Sequence, residues 1–92
     1  MSVKVRFFAR FRELLGTDII VEKGPETGMA DLVREIARQN EEGYKAVFDD
    51  QGRFHDFVIV MRNGKRVLIS DAEKIILADG DEIAVFPPVA GG

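Results

Sequence analysis

The 92-residue sequence predicts an α+β domain, a mixed sheet of about five strands with one main helix packed across one face. Three observations carry that expectation. The chain opens on a strand pattern, with Val3, Val5 and Phe7 alternating against Lys4, Arg6 and Phe8. It closes on another, in which Ile83 and Val85 alternate with Glu82, Ala84 and Phe86. Between them Met29, Leu32, Val33, Ile36 and Ala37 form one apolar stripe at helical spacing.

The remaining elements follow in order. Phe11, Leu14 and Leu15 recur at i, i+3, i+4, and Gly16 stands where a helix C′ residue belongs, which predicts a short helix over 9–15. Residues 18–23 read as a second strand with β-branched Ile19, Ile20 and Val21 at its centre. Gly24-Pro25-Glu26-Thr27-Gly28 is a loop, and Thr27 is placed to cap the main helix. On that helix Asp31, Arg34, Glu35 and Arg38 lie outside the stripe, and Met29 within it reads as core. Residues 41–48 predict a weaker helical turn or two anchored by Tyr44 and Phe48, and 49–52 a turn. A buried-type strand over 57–61 leads through the hairpin signal Asn63-Gly64 into a strand over 66–69. Ser70 is placed to cap a turn starting at Asp71, and Asp79-Gly80-Asp81 turns the chain into the last strand. There is no repeat, linker or low-complexity segment, so residues 1–92 read as one domain with a flexible tail over about 87–92. A last strand returning beside the first makes this a ubiquitin-like β-grasp roll.

Composition excludes several classes. The net charge of −3 disfavours nucleic acid as a partner, because phosphate binding needs a basic surface. The chain has no cysteine, which removes a disulfide framework, a thiolate metal site and a cysteine nucleophile. No apolar run approaches spanning length and no signal-peptide segment opens the chain, so a cytoplasmic protein acting at its translated length, without a membrane partner, is expected.

No self-contained catalytic or metal site is expected either. The single His55 sits in a polar loop beside Arg53 and Asp56 and reads as a solvated histidine without a catalytic partner. Asp49-Asp50 and Asp79-x-Asp81 fall in turns, where Asp serves the backbone, and lack the spacing of a calcium loop. Gly24-x-x-x-Gly28 lacks the Lys-Ser/Thr pair of a phosphate loop.

Two features do invite function. Gly91-Gly92 closes the sequence after Pro87-Pro88-Val89-Ala90, a pairing expected by composition in about one chain in 200. The pair's rarity, and above all the hydrophobic strand and the Pro87-Pro88-Val89-Ala90 cap that precede it, favour a functional terminus over a frayed chain end. A diglycine lacks Cβ atoms, threads a slot too narrow for other residues, and presents a bare α-carboxylate on a thin tether. The second feature is aromatic. If Val3, Val5 and Phe7 point inward, Phe8 faces out, and with Ile83 and Val85 inward so does Phe86. Two outward aromatics near the tail suggest a docking patch. The competing reading makes Phe7, Phe8 and Phe86 all core, or covers them with the short helix.

The opening Val3-Lys4-Val5-Arg6-Phe7-Phe8-Ala9-Arg10-Phe11-Arg12-Glu13-Leu14-Leu15-Gly16 and the closing Gly80-Asp81-Glu82-Ile83-Ala84-Val85-Phe86-Pro87-Pro88-Val89-Ala90-Gly91-Gly92 resemble the MoaD/ThiS family of ubiquitin-like sulfur carriers, and within it the MoaD-like small subunit of molybdopterin synthase. The resemblance covers essentially the whole chain. It implies a non-catalytic carrier that binds no cofactor. A ubiquitin-activating-like adenylyltransferase would consume ATP to adenylate the carboxylate of Gly92, and sulfur would replace AMP to leave a thiocarboxylate. The tail motif from Pro87 through Val89, Ala90 and Gly91 would then enter the large subunit of molybdopterin synthase, where sulfur passes to a pterin precursor of the molybdenum or tungsten cofactor. Phe8 and Phe86 match the outward aromatics that meet the partner. The polar hairpin arm Lys65-Arg66 departs from the bacterial pattern, where a hydrophobic residue often joins the patch, and residues 41–56 run longer than in the shortest relatives. Three functions stay open: this carrier, a related carrier for tRNA thiolation or a modifier joined to lysines, and a plain β-grasp interaction module. A thiamine-pathway carrier fits less well, because those chains are usually shorter and lack the Phe-Phe-Ala opening.

Overall fold

Strict alternation over the first residues produces β1 (Ser2–Phe7), with Val3, Val5 and Phe7 buried and the residues between them half-exposed. The fold is taken from a computed structural model and is described for residues 1–88. The order continues α1 (Ala9–Leu15), β2 (Ile19–Glu22), α2 (Met29–Ala37), α3 (Glu41–Val47), β3 (Ile59–Arg62), β4 (Lys65–Val67), α4 (Ile69–Ala72) and β5 (Glu82–Phe86). The strands form one sheet in the order β2-β1-β5-β3-β4. The β1–β5 pair is parallel and the other pairs are antiparallel, which is the ubiquitin-like β-grasp arrangement.

The core lies on one face of the sheet. Met29, Leu32, Val33, Ile36 and Ala37 of α2 pack in one cluster with Val3, Val5, Phe7, Val60, Ile83 and Val85 from the strands. Burying a side chain such as Leu32 contributes about 1.5–3 kcal/mol, and Phe11, Val47, Phe48 and Phe54 close the ends of the cluster. Asn40 locks two helices together: its Oδ1 accepts from the Gly43 N–H at 2.9 Å as the α3 N-cap, and its Nδ2 donates to Leu14 O at 2.9 Å. Gly43 is required where α3 meets α1, since a Cβ there would run into the Leu15 side chain.

Several expectations are corrected. Thr27 does not cap α2. Gly28 holds the N-cap position with no side-chain bond, and the Thr27 hydroxyl donates back to Gly24 O at 2.8 Å, bracing the loop instead. Ser70 is not the cap either, because α4 begins at Ile69, two residues earlier than expected, with Leu68 at its N-cap. The strand expected over 66–69 therefore runs Lys65–Val67, and Ile69 belongs to α4. The strand expected over 57–61 starts at Ile59, leaving Phe57 half-exposed outside it. Residue 18 drops out of β2 because Asp18 has a φ of +42°.

The Asn63-Gly64 hairpin has both residues at positive φ, +51° and +82°, as a two-residue I′-type turn requires. Asn63 also ties the turn to β5: its amide donates to Asp81 at 2.9 Å and its Oδ1 accepts from the Glu82 N–H at 2.8 Å. Asp81 is the buried carboxylate among the described residues, 6% exposed, and accepts further bonds from the Ala78 N–H at 2.8 Å and from Arg62 Nε at 3.0 Å. Burial alone would raise its pKa, but these donors outweigh burial and hold the carboxyl below its ordinary value. Asp81→Ala should cost about 2–4 kcal/mol in denaturant unfolding at neutral pH, since it leaves Arg62 and Asn63 without their acceptor. A depressed folded pKa contributes stability that is complete above the unfolded carboxyl value of about 3.9 and is lost as pH falls through the lower folded value. Asp81→Asn should therefore flatten the acid limb of the stability curve.

Candidate docking face and chain exit

The sheet's second face carries no helix from the core cluster, and its registers define it row by row. Asp18, Arg6, Ala84, Met61 and Arg66 cross the strands in one row, set by the pairs Arg6–Ala84, Met61–Ala84 and Met61–Arg66. Towards the start of β1 the next row is Ile20, Lys4 and Glu82. Towards its end the row is Phe8, Phe86, Ile59 and Leu68: Ile59 pairs with Phe86, and Leu68 follows one alternation after Arg66. The last row is apolar throughout and Leu68 is 64% exposed within it. The other two carry ion pairs and polar groups.

Phe8 and Phe86 are half-buried, and their rings stack at 4.2 Å between centroids with 13° between planes. The Phe8 N–H bonds to Val85 O at 3.1 Å, so the backbone is still paired where the ring emerges. The Arg6 guanidinium lies 5.6 Å from the Phe8 ring centroid, bonded to Asp18 at 2.7 Å and to Glu82 at 3.3 Å. The hydrogen bonds to Glu82 and Asp18 raise the Arg6 pKa above its ordinary value, and the same bonds hold the guanidinium beside the aromatic pair. The reading of Phe8 and Phe86 as core is thus set aside, and α1 does not bury them.

Because β1 and β5 run parallel, both end at the same side of the sheet, and the chain leaves β5 through half-buried Pro87 and exposed Pro88 directly beside the aromatic pair. Residues Val89, Ala90, Gly91 and Gly92 of the expected tail motif lie outside the described residues. The polar arm Lys65-Arg66 does not interrupt the patch: Arg66 stands beside Met61 in the neighbouring row, and Leu68 completes the apolar one. Ile59, Met61 and Leu68 were not singled out from the sequence. The alternation that would assign them depends on the pairing of β3 with β5, which a continuous apolar run such as Val58-Ile59-Val60-Met61 does not reveal.

The other polar candidates serve the scaffold. His55 is half-buried rather than solvated; its Nε2 lies 2.9 Å from Lys45 O and its ring stacks on Phe57 at 4.8 Å. Asp49 accepts from the Arg53 and Gln51 N–H groups, which hold its pKa down, and Asp79 accepts from the Ser2 N–H at 2.7 Å. A cleft of about 380 Å³ beside this loop is lined by Asp49, Arg53, Asp56 and Glu73, away from the chain exit. Glu73 is committed to Arg34, whose hydrogen bond lowers the Glu73 pKa and ties α2 to the segment after α4. Among the described residues no group of three His, Cys, Asp or Glu side chains converges as a metal site, and no helix is long and apolar enough to cross a membrane.

A β-grasp domain with an apolar row beside the exit of its last strand defines a small ubiquitin-like protein. The sequence profile of the ThiS family matches residues 5–92, and the chain belongs to that family, which includes the MoaD-type carriers. It is 34% identical to small archaeal modifier protein 3 of Haloferax volcanii, covering all of both chains. It is 33% identical to the molybdopterin synthase sulfur carrier subunit of Escherichia coli, over 98% of this chain and 99% of the relative. Among solved structures, small archaeal modifier protein 1 of Haloferax volcanii superposes with a TM-score of 0.84 at 29% identity, covering all of both chains. A chain of the complex of subunits 1 and 2 of the molybdopterin-converting factor of Helicobacter pylori superposes with a TM-score of 0.61 at 28% identity, again over all of both chains.

The stacked pair is separable from the core by measurement. Phe8→Ala and Phe86→Ala should each cost about 1 kcal/mol in denaturant unfolding, against about 3–5 kcal/mol for Phe7→Ala inside the cluster. A double-mutant cycle between positions 8 and 86 should return a coupling of about 0.5–1.5 kcal/mol.

Proposed function

We propose that this chain is the sulfur-carrier subunit of a molybdopterin synthase, acting in the cytoplasm and carrying sulfur on the carboxyl group of Gly92. The observation that carries the reading is the position of the apolar row Phe8, Phe86, Ile59 and Leu68 at the end of the sheet where the chain leaves through Pro87. A partner seated on that row receives the tail at the same time. The 33% identity to a molybdopterin synthase sulfur carrier subunit supports the same reading. In this role the protein is a substrate and a subunit, and its partners supply the catalytic groups.

The chemistry balances without a side chain of this protein. A free carboxylate is a poor electrophile. A ubiquitin-activating-like adenylyltransferase therefore joins Gly92 to the AMP part of ATP and releases pyrophosphate. A sulfur donor at the hydrosulfide level attacks the acyl carbon, the acyl–phosphate bond breaks, AMP leaves, and a thiocarboxylate remains. The tail from Pro87 gives reach, and Gly91-Gly92 gives clearance into the large synthase subunit. There the ionised sulfur forms a C–S bond at an electrophilic carbon of the pterin precursor while a C–O bond at that carbon breaks and the oxygen leaves, and hydrolysis of the acyl–sulfur bond frees the sulfur on the pterin and returns the carboxylate. The 34% identity to a small archaeal modifier protein favours a second reading, in which the activated Gly92 is joined to lysine amines or its sulfur serves tRNA thiolation.

Intact-mass measurement after incubation with the activating enzyme, ATP and a sulfur donor should show one oxygen exchanged for sulfur. Deleting Gly92, or adding one residue after it, should abolish the exchange while circular dichroism stays unchanged. A truncated chain that still gains sulfur would overturn the role given to Gly92. Phe86→Ala should weaken binding to the large subunit by about 1–3 kcal/mol in calorimetry. Gly-Gly remnants on lysines of other proteins would favour the modifier, and loss of molybdopterin on gene deletion would favour the synthase subunit.

A further inference from the structure

The strand order leaves two sheet edges, and they are built differently. The β4 edge is short and carries exposed Lys65 and Arg66, which discourages further pairing. The β2 edge centres on Ile19, Ile20 and Val21, and Ile20 is 64% exposed. Met1 and Lys23 exchange both backbone bonds, Lys23 N to Met1 O at 2.9 Å and Met1 N to Lys23 O at 2.8 Å. Bonded and non-bonded pairs alternate along an antiparallel ladder, so the Val3–Val21 and Val5–Ile19 pairs are also bonded. The N–H and C=O groups of Ile20 and Glu22 consequently point away from β1, along the outer edge. On the helix side a groove of about 450 Å³ runs under that edge, lined by the apolar Leu14, Leu15, Ile19, Val21 and Ile36 and by the polar Gln39 and Asn40. Outward ladder groups and a β-branched centre with an exposed Ile20 together make a template for one more strand.

We propose that this strand is β2 of a second copy, paired antiparallel about a two-fold axis so that the two sheets become continuous. The outward groups allow three registers. Ile20 opposite Ile20 would set Asp18 against Glu22 of the other copy, and Glu22 opposite Glu22 would set like charges together; both arrangements destabilise. The register with Ile20 opposite Glu22 places Val21 on the axis, Ile19 opposite Lys23 and Asp18 opposite Gly24, and no like charges face each other. It also brings Glu22 of one copy within one strand of Lys4 of the other, because Lys4 is the cross-strand neighbour of Ile20. Neither Lys4 nor Glu22 has an ion-pair partner among the described residues. Each gains one across the axis, twice by symmetry. Pairing two four-residue strands buries less than the roughly 1,200 Å² of a stable specific interface, so the dimer is weak and concentration-dependent. The row around Phe8 and Phe86 is not on β2, so it stays open in the dimer, and the inference stands apart from the proposed carrier role.

Sedimentation velocity on the full chain across a concentration series, at low salt, tests the pairing. A monomer–dimer equilibrium is expected, with amide exchange at Ile20 and Glu22 slowing as concentration rises. Ile20→Pro removes an outward N–H while leaving the β1 ladder bonds in place, and should give a folded monomer. Glu22→Lys should weaken the dimer about fivefold, and added salt should weaken the unsubstituted dimer similarly. A monomer at the highest soluble concentration overturns the proposal, even if the edge then binds an extended peptide. So does a dimer that leaves the Ile20 and Glu22 amides unprotected, or one that Phe86→Ala abolishes. Should Ile20→Pro fail to fold, the exchange profile and Glu22→Lys still decide the matter.

Discussion

Strands from opposite ends of the chain, β1 and β5, lie side by side at the centre of the sheet, and their parallel pairing fixes most of what the molecule presents. Closing so long a loop costs chain entropy, and the fold recovers it by burying Val3, Val5, Phe7, Ile83 and Val85 in one cluster with α2. The same pairing decides the outer face. In a parallel pair both strands finish at the same side, so Phe8 meets Phe86 and the chain exits next to both. An antiparallel arrangement of the same residues would set Phe8 opposite the Glu82 end and send the tail away from it. Strand direction, more than any single side chain, puts the patch and the terminus together.

Polar and apolar groups are separated along the length of that central pair. At its start Asp81 gathers Arg62, Asn63 and the Ala78 N–H, while Ser2, Lys4, Asp79 and Gly80 exchange backbone and carboxylate bonds across β1 and β5. In the middle Arg6 spans Asp18 and Glu82. At its finish the row is Phe8, Phe86, Ile59 and Leu68. The Asp81 network at the start needs no partner, because its donors and acceptors meet one another. The apolar finish stays half-exposed, which is the condition under which burial by a partner yields free energy.

Local pattern made part of this legible from the sequence. Period-two alternation in β1 and β5 was enough to turn Phe7 inward and Phe8 outward, and Phe11, Leu14, Leu15 and Gly16 delimited α1 to the residue. Where several local signals compete, sequence reasoning failed. Ile69 has strand character, yet it opens the four-residue α4: the ladder ends at Val67 and Leu68 takes the N-cap position. Thr27 is a good capping residue, but its hydroxyl bonds back to Gly24 and leaves the cap position to Gly28. The facing of Ile59 and Met61 depends on register with β5, a contact distant in sequence. The role proposed for the diglycine rests on a different footing: it is backbone chemistry, which needs no neighbours to define it.

A protein that works through its chain end has one tail and one patch beside it, and this imposes a limit on affinity. Under the proposed role the tail visits an activating enzyme and then a sulfur acceptor, and both would use the row at Phe8 and Phe86. Two partners on one surface exclude each other, so each complex has to dissociate within a cycle. Affinity differences among related complexes reside mostly in the dissociation rate, which rises as fewer buried anchors hold the interface. A short row of half-buried side chains, two of them already stacked on each other, supplies few new anchors. The modest size of the patch is therefore consistent with exchange between partners, and specificity falls to the polar groups that border it, Arg6 and Arg66 among them.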